Sequence, residues 1–176
     1  MAERVLEGRL VRLRPVRDRD VAALATIRAA PEVAQRWNTG DDPGADVARD
    51  LSDPESECLV IEFEGSVIGF VQWQEETDPD YRHGSLDIYV DPAVHSRGLG
   101  TDAVRAIVAY LIRDRGHHRV TIDPAADNLP AIRCYSKVGF QIAGTMREYE
   151  RGRDGTWHDS LLMDLLASQF DPGQGA

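Results

Sequence analysis

Apolar and polar positions along the chain repeat with two periods. Leu10-Val11-Arg12-Leu13-Arg14 alternates at every second residue, as a strand with one buried face does, and Pro15 closes it. Asp18 or Asp20 is placed to cap a helix through Ile27, with Val21, Leu24 and Ile27 on one side. Pro31 interrupts, a second short helix is expected over residues 32–37, residues 38–44 have loop composition, and a further helix covers 45–51. Residues 58–63 and 67–73 read as two strands joined by the tight turn Glu64-Gly65-Ser66. Residues 75–84 are polar, contain Pro79, and read as an exposed loop. Alternation returns over 85–90, with Leu86, Ile88 and Val90 on one face and Asp87 and Tyr89 on the other.

The period then lengthens. Val104, Ile107, Val108, Leu111 and Ile112 form one apolar stripe of a helix over 99–115, which Gly116 ends. A strand at 120–123 follows. Asn128 caps a helix to Lys137 that stops at Gly139, and a strand begins at 140–143. Asp154-Gly155 marks a hairpin turn before a strand over 156–166. Helices set among mostly antiparallel strands predict an α+β (mixed α/β) fold with a central twisted sheet flanked by helices. Residues 1–170 are expected to form one domain and 171–176 a flexible tail.

Composition narrows this. A chain of 176 residues, 42% hydrophobic and 28% charged, fits one soluble domain. It has no apolar run near the roughly 20 residues that cross a bilayer. The first residues lack a signal-peptide core, so no membrane role and a cytoplasmic location are expected. Cys58 and Cys134 lie far apart without metal-ligand spacing, which predicts two buried thiols and no metal. The net charge of −10 argues against nucleic acid and permits a cationic partner, although acidity also serves solubility. A monomer and a homodimer both remain open.

The candidate chemistry sits after the strand at 85–90. His95-Ser96-Arg97-Gly98-Leu99-Gly100-Thr101 leads into the long helix. Gly98 and Gly100 permit close backbone approach, and the first helical amides are unpaired and favour an anion such as a pyrophosphate. His95 and Arg97 are placed to add charge or hydrogen bonds. No Gly-Lys-Ser/Thr follows, so the segment is not a P-loop. Ala103 also departs from the Gly-x-Gly-x-x-Gly fingerprint. An ordinary strand-to-helix turn is the simpler alternative.

Val90-Asp91-Pro92 followed by His95 to Gly100 resembles motif A of the GCN5-related N-acetyltransferases, whose pattern is Gln/Arg-x-x-Gly-x-Gly/Ala. His95 departs at the first position. Asn128-Leu129-Pro130-Ala131-Ile132-Arg133-Cys134-Tyr135-Ser136-Lys137-Val138-Gly139-Phe140 resembles the second conserved block of that family. The resemblance implies acetyl-CoA as cofactor and a splay between strands 4 and 5, here those at 85–90 and 120–123, into which the acetyl-pantetheine arm inserts. It implies that backbone near Tyr89, Val90 and Asp91 holds the arm, that an amide near Val90 polarises the thioester carbonyl, and that the amides of residues 95–101 cradle the pyrophosphate. Asn128, with Ala131 in the same block, would contact the pantetheine, and Tyr135 would donate to the leaving sulfur. Tyr135 reads equally as a buried packing residue. Asp87, on the strand carrying the reacting carbonyl, is the candidate base; a solvated or ion-paired strand residue is the alternative.

A narrower resemblance concerns the acceptor. Thr121-Ile122-Asp123-Pro124 through Asn128-Leu129-Pro130-Ala131-Ile132-Arg133-Cys134-Tyr135 is similar to aminoglycoside 6′-N-acetyltransferases, as is the acidic run Glu75-Glu76-Thr77-Asp78-Pro79. It implies that Asp87 and Asp123 engage a polycationic small-molecule amine, with Glu75 and Glu76 attracting it. Trp73 or Trp37 could stack on a sugar, or both could be core residues. Residues 151–166 look more like ribosomal-protein N-terminal and small-amine acetyltransferases. A protein or polyamine acetyltransferase, and a non-catalytic acyl-CoA-binding regulator on the same fold, are therefore the alternatives.

Overall fold

In the computed structural model, which describes residues 4–173, the alternating stretches pair into one eight-stranded sheet. Its strands are β1 (Leu6–Glu7), β2 (Arg12–Pro15), β3 (Glu57–Phe63), β4 (Ser66–Glu76), β5 (His83–Val90), β6 (Arg119–Ile122), β7 (Gln141–Arg151) and β8 (Trp157–Leu166). Their spatial order is β1-β2-β3-β4-β5-β6-β8-β7. All neighbours are antiparallel except β5 and β6, whose parallel pairing requires a crossover helix. The helices are α1 (Val21–Arg28), α2 (Pro31–Ala34), α3 (Pro43–Leu51), α4 (Leu99–Arg113) and α5 (Leu129–Val138). This is the expected α+β architecture.

The crossover is α4. Val104, Ile107, Val108 and Leu111 are fully buried and meet Leu86, Val120, Met163 and Leu165 from the sheet in one core that α5 also covers. Burial of each such side chain contributes about 1.5–3 kcal/mol. The opposite face is covered by α1 to α3 in a second cluster around Leu24, Val47, Phe70 and Tyr89.

Several details depart from the pattern reading. The segment expected as a loop over 75–84 is mostly hairpin, with Glu75 paired to Gly84 and Glu76 to His83, leaving only 77–82 as the turn. Polarity misled here because Glu75 is held from inside, by Arg115 (3.0 and 2.6 Å) and His117 (2.6 Å). Arg14, expected on the polar face, is 5% exposed, since Asp20 receives its guanidinium at 2.7 and 3.0 Å and Glu62 accepts its Nε at 2.7 Å. Asp20 therefore makes no side-chain cap on α1. The helix expected over 32–37 is the single turn α2, and α3 starts at Pro43, capped by Asp42. β1 was not expected; Asp102 on α4 anchors the turn after it by accepting the amides of Arg9, Leu10 and Val11 at 3.1, 2.7 and 3.0 Å. Of the expected tail, residues 174–176 lie outside the described residues, and among 171–173 Gly173 N–H donates to the Asp171 carboxylate.

β5 and β6 pair at only two positions, Gly84 with Val120 and Ser85 with Thr121. Beyond them the chain after β6 follows β8, with Leu161 N–H donating to Pro124 O and Ala126 N–H to Asp159 O. Residues 86–90 of β5 stay with β4, and the sheet opens between the two strands.

Candidate active site

The turn after β5 is shaped by local backbone chemistry. Asp91 caps a short 3-10 turn (Pro92–Val94) by accepting Ala93 N–H at 2.9 Å. Ser96 and Gly98 adopt left-handed φ of 62° and 77°, and Gly98 is the residue before α4. The amides of the first turn have no carbonyl four residues back, so they remain available to an anion, and the helix dipole favours one there. Gly98 is required by its φ. Gly100 is different: a Cβ there would meet Val90 Cγ2 at 3.6 Å and Cys134 Sγ at 3.8 Å, ordinary contacts. A side chain at Gly100 would fit the protein and intrude on the space beside it.

That space is a cleft of about 610 Å³. Its lining includes Tyr89, Val90, His95, Ser96, Gly98, Leu99, Gly100, Thr101, Asn128, Ala131 and Tyr135. Arg97 is not part of it; its guanidinium lies 4.9 Å from the Phe63 ring centroid. His95 lines the cleft, but its Nε2 is 2.9 Å from Val90 O, closing the turn onto the strand end. Asn128 caps α5 through Ala131 N–H at 3.4 Å. The α2 segment forms another wall with Val33, Arg36 and Trp37, and α5 adds Arg133, Cys134 and Lys137. Arg133, Cys134 and Lys137 lie within the second block resembling the family, whereas of the α2 wall the sequence singles out only Trp37.

Tyr135 is 7% exposed and packs edge-on to Phe140. Burial raises its pKa above the ordinary phenol range, and the neighbouring Cys134, Asp87 and Asp123 add to this. It keeps its proton and is a hydrogen-bond donor at neutral pH.

The sheet face toward α1–α3 carries the acidic groups. Asp87 on β5 projects opposite Leu86 and accepts Gln72 Nε2 at 3.3 Å. Its carboxylate meets water, yet it lies deep among protein atoms. Desolvation first, then the charge of Asp123, raises its pKa to about 6. Asp123, just past β6, is raised mainly by burial, and Tyr149 donates to it. Glu150 on β7 is half-buried and raised by burial and by Asp123. Asn38 Nδ2 donates to Glu150 Oε1 at 3.0 Å. Asp123 thus raises the pKa of both Asp87 and Glu150, and Glu150 adds to the rise at Asp87, across the opening in the sheet. Glu150 and Tyr149 were not anticipated, because nothing in the sequence around them signals that β7 reaches this face.

Other expected acceptor residues are elsewhere. Trp73 is 2% exposed on the α4 side, against Tyr110 at 5.7 Å and under Arg115, so it presents no face to a sugar. Glu75 is on the same side, locked to Arg115 and His117. Glu76 is exposed four residue pairs from Asp87 along the hairpin, about 13 Å away. Trp37 is half-buried, edge-on to Tyr89 (4.9 Å) and Phe70 (6.1 Å), with Arg28 over its ring at 5.1 Å.

A helix start receptive to an anion thus stands beside an opened sheet and a cleft of ligand size. The acetyltransferase (GNAT) family model matches residues 13–140, and the chain belongs to that family. It is 43% identical to an aminoglycoside N(6′)-acetyltransferase type 1 of Klebsiella pneumoniae over 74 residues, 42% of this chain and 36% of that protein. The chain thus spans about a third of that relative's length. Over 154 residues it is 29% identical to the L-amino acid N-acetyltransferase AaaT of Escherichia coli K12, covering 86% of this chain and 94% of that one. Mycobacterium smegmatis RimJ in complex with CoA-disulfide superposes with a TM-score of 0.77 at 25% identity, over 94% of this chain and 86% of that one. Acetyl-CoA is the family's cofactor. The residues fit it: the cleft is of ligand size, glycine stands where a side chain would fill the cradle, and Arg133 and Lys137 add positive charge to the wall.

Among the described residues no cluster of potential metal ligands occurs, and no helix is long and apolar enough to cross a membrane.

Proposed function

We propose that this protein is an acetyl-CoA-dependent N-acetyltransferase whose acceptor is a small polycationic amine, with aminoglycosides acetylated at the 6′-amine as the leading class. The single observation that carries the acceptor reading is the gathering of Asp87, Asp123 and Glu150 on one sheet face, where the charge of Asp123 raises the pKa of the other two. A substrate with several ammonium groups relieves that repulsion; an anionic or neutral one does not. The nearby cation Arg36 is ion-paired with Asp127, so an amino acid's carboxylate finds less to hold it here than an ammonium does.

When bound, acetyl-CoA supplies the thioester carbon that the amine attacks and a thiolate leaving group. The amides of residues 96–101 hold the pyrophosphate, with Asn128 and Ala131 along the pantetheine. The backbone near Tyr89 and Val90, unpaired on the side where β6 departs, holds the arm and polarises the carbonyl. Asp87 is ionised above about pH 6 and orients the amine. The amine attacks as its neutral form, after the ammonium has released one proton to solvent. Once nitrogen bonds to carbon its remaining N–H is strongly acidic, and Asp87 takes that proton directly or through water. Tyr135 stays neutral and donates to the sulfur.

Thiol release over an amine panel tests this. Kanamycin and tobramycin should turn over at micromolar concentration. No turnover of any aminoglycoside, with turnover of spermidine, a ribosomal peptide or an L-amino acid, would move the acceptor to that class. CoA binding without thiol release for any amine would leave a non-catalytic acyl-CoA-binding regulator.

A further inference from the structure

Arg28, at the end of α1, is 5% exposed and far in sequence from every motif of the site. Its Nη1 pairs with Asp50 of α3, its Nη2 donates to Trp37 O at 3.3 Å, and its guanidinium lies 5.1 Å from the Trp37 ring centroid. Its own carbonyl accepts Thr39 Oγ1 at 3.3 Å. The buried cation therefore grips the segment after α2 by the Trp37 ring and carbonyl, and the main-chain carbonyl of Arg28 holds Thr39. Trp37 passes that grip to the cleft it lines: it meets Tyr89 edge-on at 4.9 Å, and Tyr89 in turn stacks on Phe70 at 5.3 Å. Tyr89 and Val90 are the strand end along which the cofactor arm is proposed to lie.

We infer that Arg28 is a positioning residue for acetyl-CoA, acting through Trp37 to hold the α2 wall against β5. The inference rests on the proposal that this cleft takes acetyl-CoA. The guanidinium is required as a plane with separated donors. It must face an indole ring and reach a carboxylate and a carbonyl at once, which a lysine ammonium does not do. Asp50 fixes the guanidinium from behind, so α3, which touches nothing in the cleft, sets the wall's position.

The test is a double-mutant cycle on CoA affinity by calorimetry, with melting temperature followed separately. Arg28→Lys and Trp37→Ala should each weaken CoA binding about tenfold, the scale of one lost charged hydrogen bond. If Arg28 works through Trp37, the double variant should be no weaker than Trp37→Ala alone. Additive losses, or wild-type affinity in Arg28→Lys, would overturn the inference. Should Arg28→Lys fail to fold, Asp50→Asn closes the same cycle. It should weaken CoA binding several-fold when Trp37 is present and not at all in Trp37→Ala; an equal loss in both backgrounds overturns the inference. Wild-type protein that does not bind CoA would sink the cofactor reading itself, a result distinct from additivity in a protein that does.

Discussion

The two halves of the candidate site are built from different materials. The cofactor half is mostly backbone: left-handed Ser96 and Gly98, the first-turn amides of α4, a glycine at position 100, and the strand edge exposed where β6 leaves β5. The acceptor half is mostly side chains, Asp87, Asp123 and Glu150, brought together from β5, the segment after β6, and β7. Backbone sites depend on a few contiguous residues and tolerate change in most side chains around them. Side-chain sites depend on the whole sheet's register, and single substitutions can retune them. Substitutions in the acceptor half should therefore change rate and choice of amine while sparing cofactor affinity, and substitutions in the cofactor half should do the reverse.

The largest separation is expected at Asp87. Asp87→Ala should lower kcat/KM about 10²- to 10³-fold, the usual weight of a general base, with CoA affinity within twofold of wild type. In the wild type, kcat/KM should climb as pH rises through about 6, because only the ionised carboxylate accepts a proton. The stability sign is opposite. A carboxyl whose folded pKa is raised binds its proton more tightly in the folded protein, so ionising it costs stability as pH rises from about 4 to above 6. Asp87→Asn should thus melt higher at pH 7 than wild type while losing its rate. Loss of both rate and stability would show that the carboxylate is a structural partner, and the division between the halves would fail there.

Gly100→Val should be the mirror image. The added side chain enters the cleft beside Val90 and Cys134, so CoA affinity should fall about tenfold or more with little change in melting temperature. Gly69→Ala sharpens this contrast. A Cβ at Gly69 would lie 2.4 Å from Tyr89 O, so that variant should unfold more readily by about 1–3 kcal/mol. Equal destabilisation in both would mean that Gly100 serves packing and not a ligand. Tyr135→Phe should reduce kcat about tenfold with CoA affinity unchanged. Because burial holds the phenol's pKa above its ordinary value, no alkaline fall in rate from Tyr135 should occur below about pH 10.

The same division explains what the sequence disclosed. The strand–turn–helix run from Val90 to Thr101 and the Asn128 cap are local, so glycine positions and capping residues marked them. The stripe of α4 and the alternation of β5 placed Asp87 on its face correctly. The acidic run Glu75-Glu76 misled because charge density does not report the face of a strand. Glu75 turns inward to Arg115 and His117, and Glu76 sits near the hairpin's far end. Trp73 failed for the same reason of register, its parity being that of the core-facing Val71. Glu150 was invisible because its place depends on β7 crossing outside β8 and on an irregular register between Met146 and Glu150. A nonlocal pairing of that kind leaves no spacing signal.

Glu150 therefore provides the finest test of the comparison, with the smallest expected effect. It sits on the proposed acceptor face but away from Asp87's strand, where its pKa is raised by burial and by Asp123. If it acts there as a charge and not in proton transfer, its removal should affect KM and not kcat. Glu150→Gln keeps the acceptor oxygen for Asn38 Nδ2 while removing the charge. For an amine with several ammonium groups, KM should rise about three- to tenfold, the scale of one partly screened ion pair, and kcat should hold. For a monoamine the same substitution should change KM by less than twofold. Raising the salt concentration should narrow the gap between the two substrates in the wild type and narrow it less in the variant, where Asp87 and Asp123 are the remaining charges. An equal KM increase for both substrates would assign Glu150 to anchoring Asn38 and the loop around it, and the acceptor half would then consist of Asp87 and Asp123 alone.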